Sequence, residues 1–192
     1  ANFSDYETLV EPFVGSGTIF LNTNYKKYIL NDCNLDLIDT YNYLIRDGEK
    51  FIKLCSEYFN SQNNSSDRYY ELRQEFNQLR SSAKKSAIFL YLNRHGYNGL
   101  CRYNSSGGYN VPFGSYVNIY FPFTEMKLFH DKSNSIAVKI TAEDFNVCFK
   151  KIKPNSIVYC DPPYVPISQT SSFTKYVKTD FDFTDQEKLV EL

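Results

Sequence analysis

The order of short elements between Thr8 and Asp32 constrains this chain most. Thr8-Leu9-Val10-Glu11-Pro12-Phe13-Val14 reads as a strand running into a turn, and Gly15-Ser16-Gly17-Thr18 as a glycine turn opening a helix. Tyr28-Ile29-Leu30-Asn31-Asp32 reads as a second strand ending in an acid. Strand, G-x-G turn and helix start make the ligand-cradling unit of a doubly wound α/β fold, because glycine lets the backbone approach a ligand closely. The third glycine of the dinucleotide fingerprint is missing, so a nucleoside cofactor without a pyrophosphate fits better. Asp32 is placed to bind the hydroxyls of a ribose; the alternative is that Asp32 or Asn31 caps the following helix, LDLIDTYNYLI.

A second feature lies near the other end. The apolar run Ile157-Val158-Tyr159-Cys160 has the composition of a short buried strand, and Asp161-Pro162-Pro163-Tyr164 ends it. Two prolines fix φ and carry no N–H, so they hold a stiff turn at the carboxyl end of the strand, where ligands bind in open α/β sheets. The Asp161 carboxylate and the Pro162 carbonyl can each accept one N–H of an exocyclic amine while Tyr164 stacks on the ring that bears it. With both protons held, the nitrogen lone pair leaves conjugation and can attack an electrophile held in line. A purely structural proline turn is the other reading.

With 192 residues the chain is long enough for one domain, or one domain carrying an insertion. No 18-residue apolar run suggests a membrane span, and the first residues, ANFSDYETL, lack a basic n-region and an apolar h-region. Cys33, Cys55, Cys101, Cys148 and Cys160 are scattered singly, and with two histidines a zinc site is not expected. Reduced cytoplasmic thiols fit, and a monomer without metal is expected. Net charge is −1, which argues against a generally basic nucleic-acid binder, but the charges are segregated. Phe76 to Thr124 contains no Asp or Glu and holds Arg80, Lys84, Lys85, Arg94 and Arg102, either a nucleic-acid face or a solvated basic one.

From Leu35 to Leu92 the pattern is helical, with apolar and aromatic residues at i, i+3, i+4 in FIKLCSEYF, YYELRQEFNQL and SAIFLYLN and a loop at SQNNSS. An insertion of this size is too long for a plain β-α-β crossover. It runs into residues 93–116, where five glycines interrupt recurring Arg, Asn and Tyr. This reads as a mobile polar loop or hairpin carrying side chains that read base edges or stack on bases. Ile136–Thr141 looks like a third strand, ending at Asp144 and Phe145, which either line a cofactor adenine or serve as helix cap and core ring. Residues 165–179 read as a flexible loop over the site, and Thr184-Asp185-Gln186-Glu187 as a capping box.

Taken together, VEPFVGSGTIFLNT, YILNDCNLDLI, FLYLNRHGYNGLCRYN, NVPFGSY and VYCDPPY, in that order, resemble a Dam-type DNA adenine-N6 methyltransferase of the α arrangement, almost end to end. The resemblance implies a Rossmann-like α/β core with a partial sheet, residues 1–38 and 130–192, and a mainly helical DNA-recognition insertion, residues 39–129. It implies S-adenosylmethionine bound by Glu11, Pro12, Phe13, Gly15 and Gly17 of the glycine turn, by Asp32 and by Asp161, with Asp144 and Phe145 as the further candidates offered above for its adenine. It implies adenine in GATC of duplex DNA flipped onto Asp161, Pro162 and Tyr164 by a protein of the cytoplasm and nucleoid. Tyr97 and Asn98 would enter the gap left by the base, and Leu100 and Arg102 would read a base pair. Arg94, Asn104, Asn110, Pro112 and Tyr116 would contact DNA. Such proteins also occur beside restriction enzymes.

Two departures qualify the likeness. Family members typically open with W-A-G-G-K and continue past D-P-P-Y into further strands, so the chain reads as a fragment. Ser115 stands where a basic residue is common. A catalytically inactive fragment that binds only DNA or cofactor is the alternative, as is methylation of another amine such as cytosine N4, adenine in RNA or a glutamine amide. Arg102→Ala should relax specificity at one base pair, since a bidentate base contact carries ~1–3 kcal/mol of discrimination. Equal weakening of binding to all sequences would make Arg102 a phosphate contact.

Overall fold

A computed structural model describes residues 6–163 and 181–192. Four parallel strands, β1 (Thr8–Glu11), β2 (Lys27–Asn31), β3 (Ala137–Thr141) and β4 (Ser156–Val158), form one sheet in the order β3-β2-β1-β4. Leu9 pairs with Tyr28 on one side and Ile157 on the other. The central strands are the apolar ones, with Leu9, Val10, Tyr28 and Leu30 buried, as parallel strands covered on both faces require. Pro12 has no N–H to donate, and β1 ends immediately before it.

The strand expected at Ile157–Cys160 is shifted to Ser156–Val158 and is half-buried rather than buried. Its apolar composition promised two covered faces. Among the described residues, however, β4 pairs with β1 alone, and Tyr159 beyond it is 41% exposed.

Helix α1 (Thr18–Asn22) follows β1. Helices α2 (Leu35–Asp47), α3 (Glu49–Ser56), α4 (Ser66–Gln78), α5 (Ala83–His95) and α6 (Phe123–Ser135) lie between β2 and β3. Asn34, not Asp32 or Asn31, caps α2, its Oδ1 accepting from the N–H groups of Asp36 and Leu37. Their aromatics are mainly core, as the helical spacing predicts. Tyr41, Phe51 and Phe129 join Leu9, Phe20 and Tyr28 in one hydrophobic cluster. Tyr69, Phe76, Phe89 and Tyr91 form a second with Tyr103, Tyr109 and Val111. Helix α7 (Phe145–Phe149) precedes β4, and α8 (Phe183–Glu191) opens with a capping box of Asp182 and Asp185, two residues earlier than the expected Thr184 and Glu187. Asp182 is the better cap because its carboxylate accepts from the N–H of Asp185 while that of Asp185 reaches back. The loop expected at 165–179 lies outside the described residues.

The ends of β1, β2 and β3 are tied together by one fully buried amide. Asn31 Nδ2 donates to the carbonyls of Pro12 and Glu143 at 3.0 and 2.9 Å, and its Oδ1 accepts from Thr141 Oγ1 and the Glu143 N–H at 2.8 and 3.0 Å. Each buried polar group left unpaired costs about 1–3 kcal/mol, so Asn31→Ala should destabilise the fold by roughly 3 kcal/mol or more in urea unfolding. A loss below ~1 kcal/mol would show that the strand ends hold without the amide.

Candidate active site

The sheet order creates the site. From β1 the chain runs outward to β2 and β3, then returns to place β4 on the other flank of β1, so the order reverses beside β1. Loops leaving adjacent strands there diverge and open a crevice at the carboxyl ends. The residues after β1, β2 and β4 meet in it, and Phe13, Gly15, Asp32, Cys33, Asp161, Pro162 and Pro163 line a cavity of about 220 Å³. Asp161 is exposed and the prolines are half-buried. Tyr164 lies outside the described residues.

The floor of the cavity is the glycine turn. Gly15 and Gly17 take left-handed φ of +48° and +71°, which favours glycine at both. A Cβ at Gly15 would meet nothing within 4 Å, so that backbone faces open space, whereas one at Gly17 would lie 3.1 Å from the Phe129 ring. Asp32 is buried below the rim: Oδ2 accepts from the Gly15 N–H at 3.1 Å and Oδ1 from the Asn34 N–H at 2.9 Å. Burial raises its pKa above the ordinary carboxylate value, against the lowering by these two N–H groups. Each carboxylate oxygen keeps a free lone pair, so Asp32 can still accept from a hydroxyl above it. An open glycine backbone, a carboxylate at the end of β2 and the Phe13 ring fit a nucleoside cofactor.

Other expected cofactor residues stand back from this cavity. Pro12 and Glu11 are buried beneath the turn, and Glu11 Oε1 has no hydrogen-bond partner among the described residues. Burial pushes the Glu11 carboxyl up to about 7, against the opposing influence of the Phe20 N–H and the Lys132 ammonium. Asp144 caps α7 by accepting from the Asn146 N–H at 2.8 Å. Phe145 is a buried ring 5.6 Å from Phe13, behind the cavity wall. Asp144 is thus a helix cap and Phe145 a buried ring, and neither lines the 220 Å³ cavity. Among the described residues no group of three or more His, Cys, Asp or Glu could hold a metal ion, and no helix is long and apolar enough to cross a membrane.

Of the segment 93–116, residues 93–95 end α5 and the bridged part, 96–113, is an irregular hairpin pinned to the second hydrophobic cluster. Antiparallel bridges join Gly96 to Phe113 and Tyr103 to Tyr109, and Tyr103, Tyr109 and Val111 are buried. Its planar polar groups have structural tasks that the sequence alone left unexplained. Asn104 Oδ1 accepts from the N–H groups of Gly108 and Ser106 at 2.8 and 3.1 Å, closing the turn. Arg102 Nε donates to Asn110 Oδ1 at 2.8 Å and Nη2 to the Asn110 carbonyl at 3.1 Å, so the two expected DNA contacts are paired with each other. Tyr97 and Asn98 stand exposed after α5, with Asn98 at φ +54° and its N–H donating to Tyr116 Oη at 2.8 Å. Leu100 is half-buried against the cluster, and the carbonyl of exposed Pro112 accepts from the Tyr97 N–H at 2.9 Å. Arg94 donates to the Tyr120 carbonyl at 3.2 Å and lies over its ring.

The acid-free stretch is also less bare in space than in sequence. Lys85 pairs with Asp36 at 2.9 Å and Lys84 with Glu75, acids from outside that stretch. Several contributors carried no signal legible along the chain. Arg73 and Asn77 on α4 bond the Val111 and Tyr109 backbone of the hairpin. Tyr41 on α2 donates to the Gly15 carbonyl at 2.6 Å across 26 residues. Each looked like any other residue of an amphipathic helix.

The titrations have opposite signs. Glu11 has a folded pKa of about 7 against 4.5 ordinarily, so its contribution to stability is complete below about pH 4.5 and is lost as pH rises to about 7. His95, stacked on Tyr91, is lowered by burial from 6.5 to about 4, so its contribution is complete above about pH 6.5 and lost as pH falls. Glu11→Gln should therefore gain stability relative to the parent between about pH 5 and pH 7, by roughly 2–3 kcal/mol in denaturant titrations. A difference independent of pH would mean that Glu11 does not titrate in that window.

The family model for D12 class N6 adenine-specific DNA methyltransferases matches residues 1–192. The chain is 44% identical over 184 residues to the DNA adenine methylase of Vibrio cholerae, and 44% identical over 186 residues to that of Salmonella typhi. It is 42% identical over 186 residues to that of Escherichia coli K12. These alignments take in 96 to 97% of the chain and 66% of each relative, so the chain spans just under two thirds of the relatives' length. A match along the whole chain, with the glycine turn and D-P-P on one crevice, means that it belongs to the D12 class N6 adenine-specific DNA methyltransferase family.

Proposed function

We propose that the protein to which this chain belongs methylates N6 of adenine in duplex DNA, with S-adenosylmethionine as donor and GATC as target. The observation that carries the reading is the single 220 Å³ crevice in which Gly15, Asp32, Asp161 and Pro162 meet, in a chain of this family. The relatives' printed name, DNA adenine methylase, supports the same substrate.

S-adenosylmethionine supplies an electrophilic methyl carbon on its sulfonium when bound. Phe13, Gly15 and Asp32 would hold its nucleoside, with Asp32 accepting from the ribose and the Gly15 backbone leaving room. The adenine is turned out of the duplex to reach the crevice, because N6 inside a base pair is inaccessible. The Asp161 carboxylate and the Pro162 carbonyl each hold one N6 proton, which aims the nitrogen lone pair out of the ring plane. Tyr164 would stack on the base.

Residues 1–38 and 130–192 form the catalytic unit in this reading, and 39–129 recognise DNA. Exposed Tyr97 and Asn98 suit the gap left by the base. Arg102 and Asn110, paired here, must part or act together to reach a base edge. The protein acts as a monomer without metal.

Methylation of GATC-containing duplexes and not of GATC-free ones, by the chain extended to the relatives' length, tests the target. Asp161→Ala in that protein should lower methyl transfer by a factor of about 10²–10³ or more while DNA affinity stays within about threefold, since a group held on the reacting amine acts on the barrier and little on the phosphate contacts. Full activity of the variant would remove Asp161 from the mechanism.

A further inference from the structure

We infer that Tyr41 is a positioning residue for the cofactor turn, an inference that rests on the cofactor reading above. Gly15 has open space on two sides. It borders the 220 Å³ crevice, and it also borders a larger cavity of about 460 Å³ lined by Leu37, Leu44, Phe89 and Met126 with Arg94 near the hairpin. A backbone bordered by two cavities has fewer packing neighbours than one in a close-packed interior, so the hydrogen bonds made to it carry more of its position.

Both backbone groups of Gly15 are held. Its N–H donates to Asp32 Oδ2 on the crevice side, and its carbonyl accepts from Tyr41 Oη at 2.6 Å from the side of the larger cavity. The Tyr41 ring is itself fixed, stacked on Phe129 with centroids 4.5 Å apart and planes 8° from parallel. That same Phe129 ring lies 3.1 Å from where a Cβ at Gly17 would be, so the pair supports the turn at both glycines. Tyr41 is 8% exposed, and burial raises its hydroxyl pKa, so it stays a donor throughout the physiological range. The turn thus depends on α2 and α6, the helices that flank the recognition segment, as well as on the sheet.

Tyr41→Phe keeps the ring and its stacking and removes only the donor. In the protein extended to the relatives' length, amide exchange at Gly15 and Gly17 should quicken about tenfold, and S-adenosylmethionine should bind about tenfold more weakly by calorimetry. Its KM should rise with little change in kcat, and DNA affinity should stay within twofold. Leu72→Ala, in α4 and buried in the second hydrophobic cluster rather than in that of Tyr41 and Phe129, controls for general destabilisation: it should lower the melting temperature and leave turn exchange and cofactor affinity unchanged. Unchanged exchange at Gly15 in Tyr41→Phe, or an equal change in Leu72→Ala, would overturn the inference. If exchange quickens but the unsubstituted protein does not bind S-adenosylmethionine, Tyr41 holds the turn as inferred and the cofactor reading fails instead.

Discussion

The crevice depends on a buried amide. Strands of a parallel sheet are hydrogen-bonded along their length, but the loops that leave their carboxyl ends have no ladder to hold them. Asn31 supplies the missing bonds. Its four partners come from the residue after β1, the last residue of β3 and the loop beyond it, so three strand ends are fixed relative to one another by one side chain with its donors and acceptor used. Its own carbonyl accepts from the Val14 N–H at 2.7 Å, which fixes the path into the glycine turn. A buried polar network of this kind specifies one geometry because every alternative leaves a member unpaired.

On that frame the turn is built from two directions. Asp32 reaches back from β2 to the Gly15 N–H, and Tyr41 reaches across from α2 to its carbonyl. The acid that reads as a ribose ligand is therefore also part of the scaffold, and its burial has an electrostatic cost that the N–H groups of Gly15 and Asn34 partly offset. Glu11 is also buried, with one carboxylate oxygen lacking a partner among the described residues, and there desolvation favours its neutral form near neutrality. Two carboxylates that look equivalent along the chain are thus separated by their surroundings: Asp32, bonded to two backbone N–H groups, lines the crevice, and Glu11 does not.

Recognition chemistry and structure are likewise combined in the hairpin. Asn104, Arg102 and Asn110 look like base readers because planar amide and guanidinium groups suit base edges, but the same groups suit backbone turns and each other. Their pairing leaves Tyr97 and Asn98 as the exposed side chains of the segment nearest α5, with the unusual backbone angle of Asn98 held by Tyr116. Arg94 is directed to Tyr120, so the cationic surface is shaped by aromatic and carbonyl partners as well as by the absence of acids.

By itself the sequence determined the elements and their order: the strands, the glycine turn, the helical middle, the proline turn that lies beyond β4, and through five ordered motifs the family. These are legible because they rest on local rules, alternation, helical spacing and the φ that glycine and proline allow. The tertiary structure alone decided the order β3-β2-β1-β4 that opens the crevice, the half-burial of β4, the burial of Glu11 and the reach of Tyr41 to Gly15. It also decided that Asn34 and Asp182 cap their helices and that Tyr103 and Tyr109 are core. Contacts across tens of residues are fixed by packing, and a side chain that can bond a base or a backbone reveals its partner only when the fold brings one within reach.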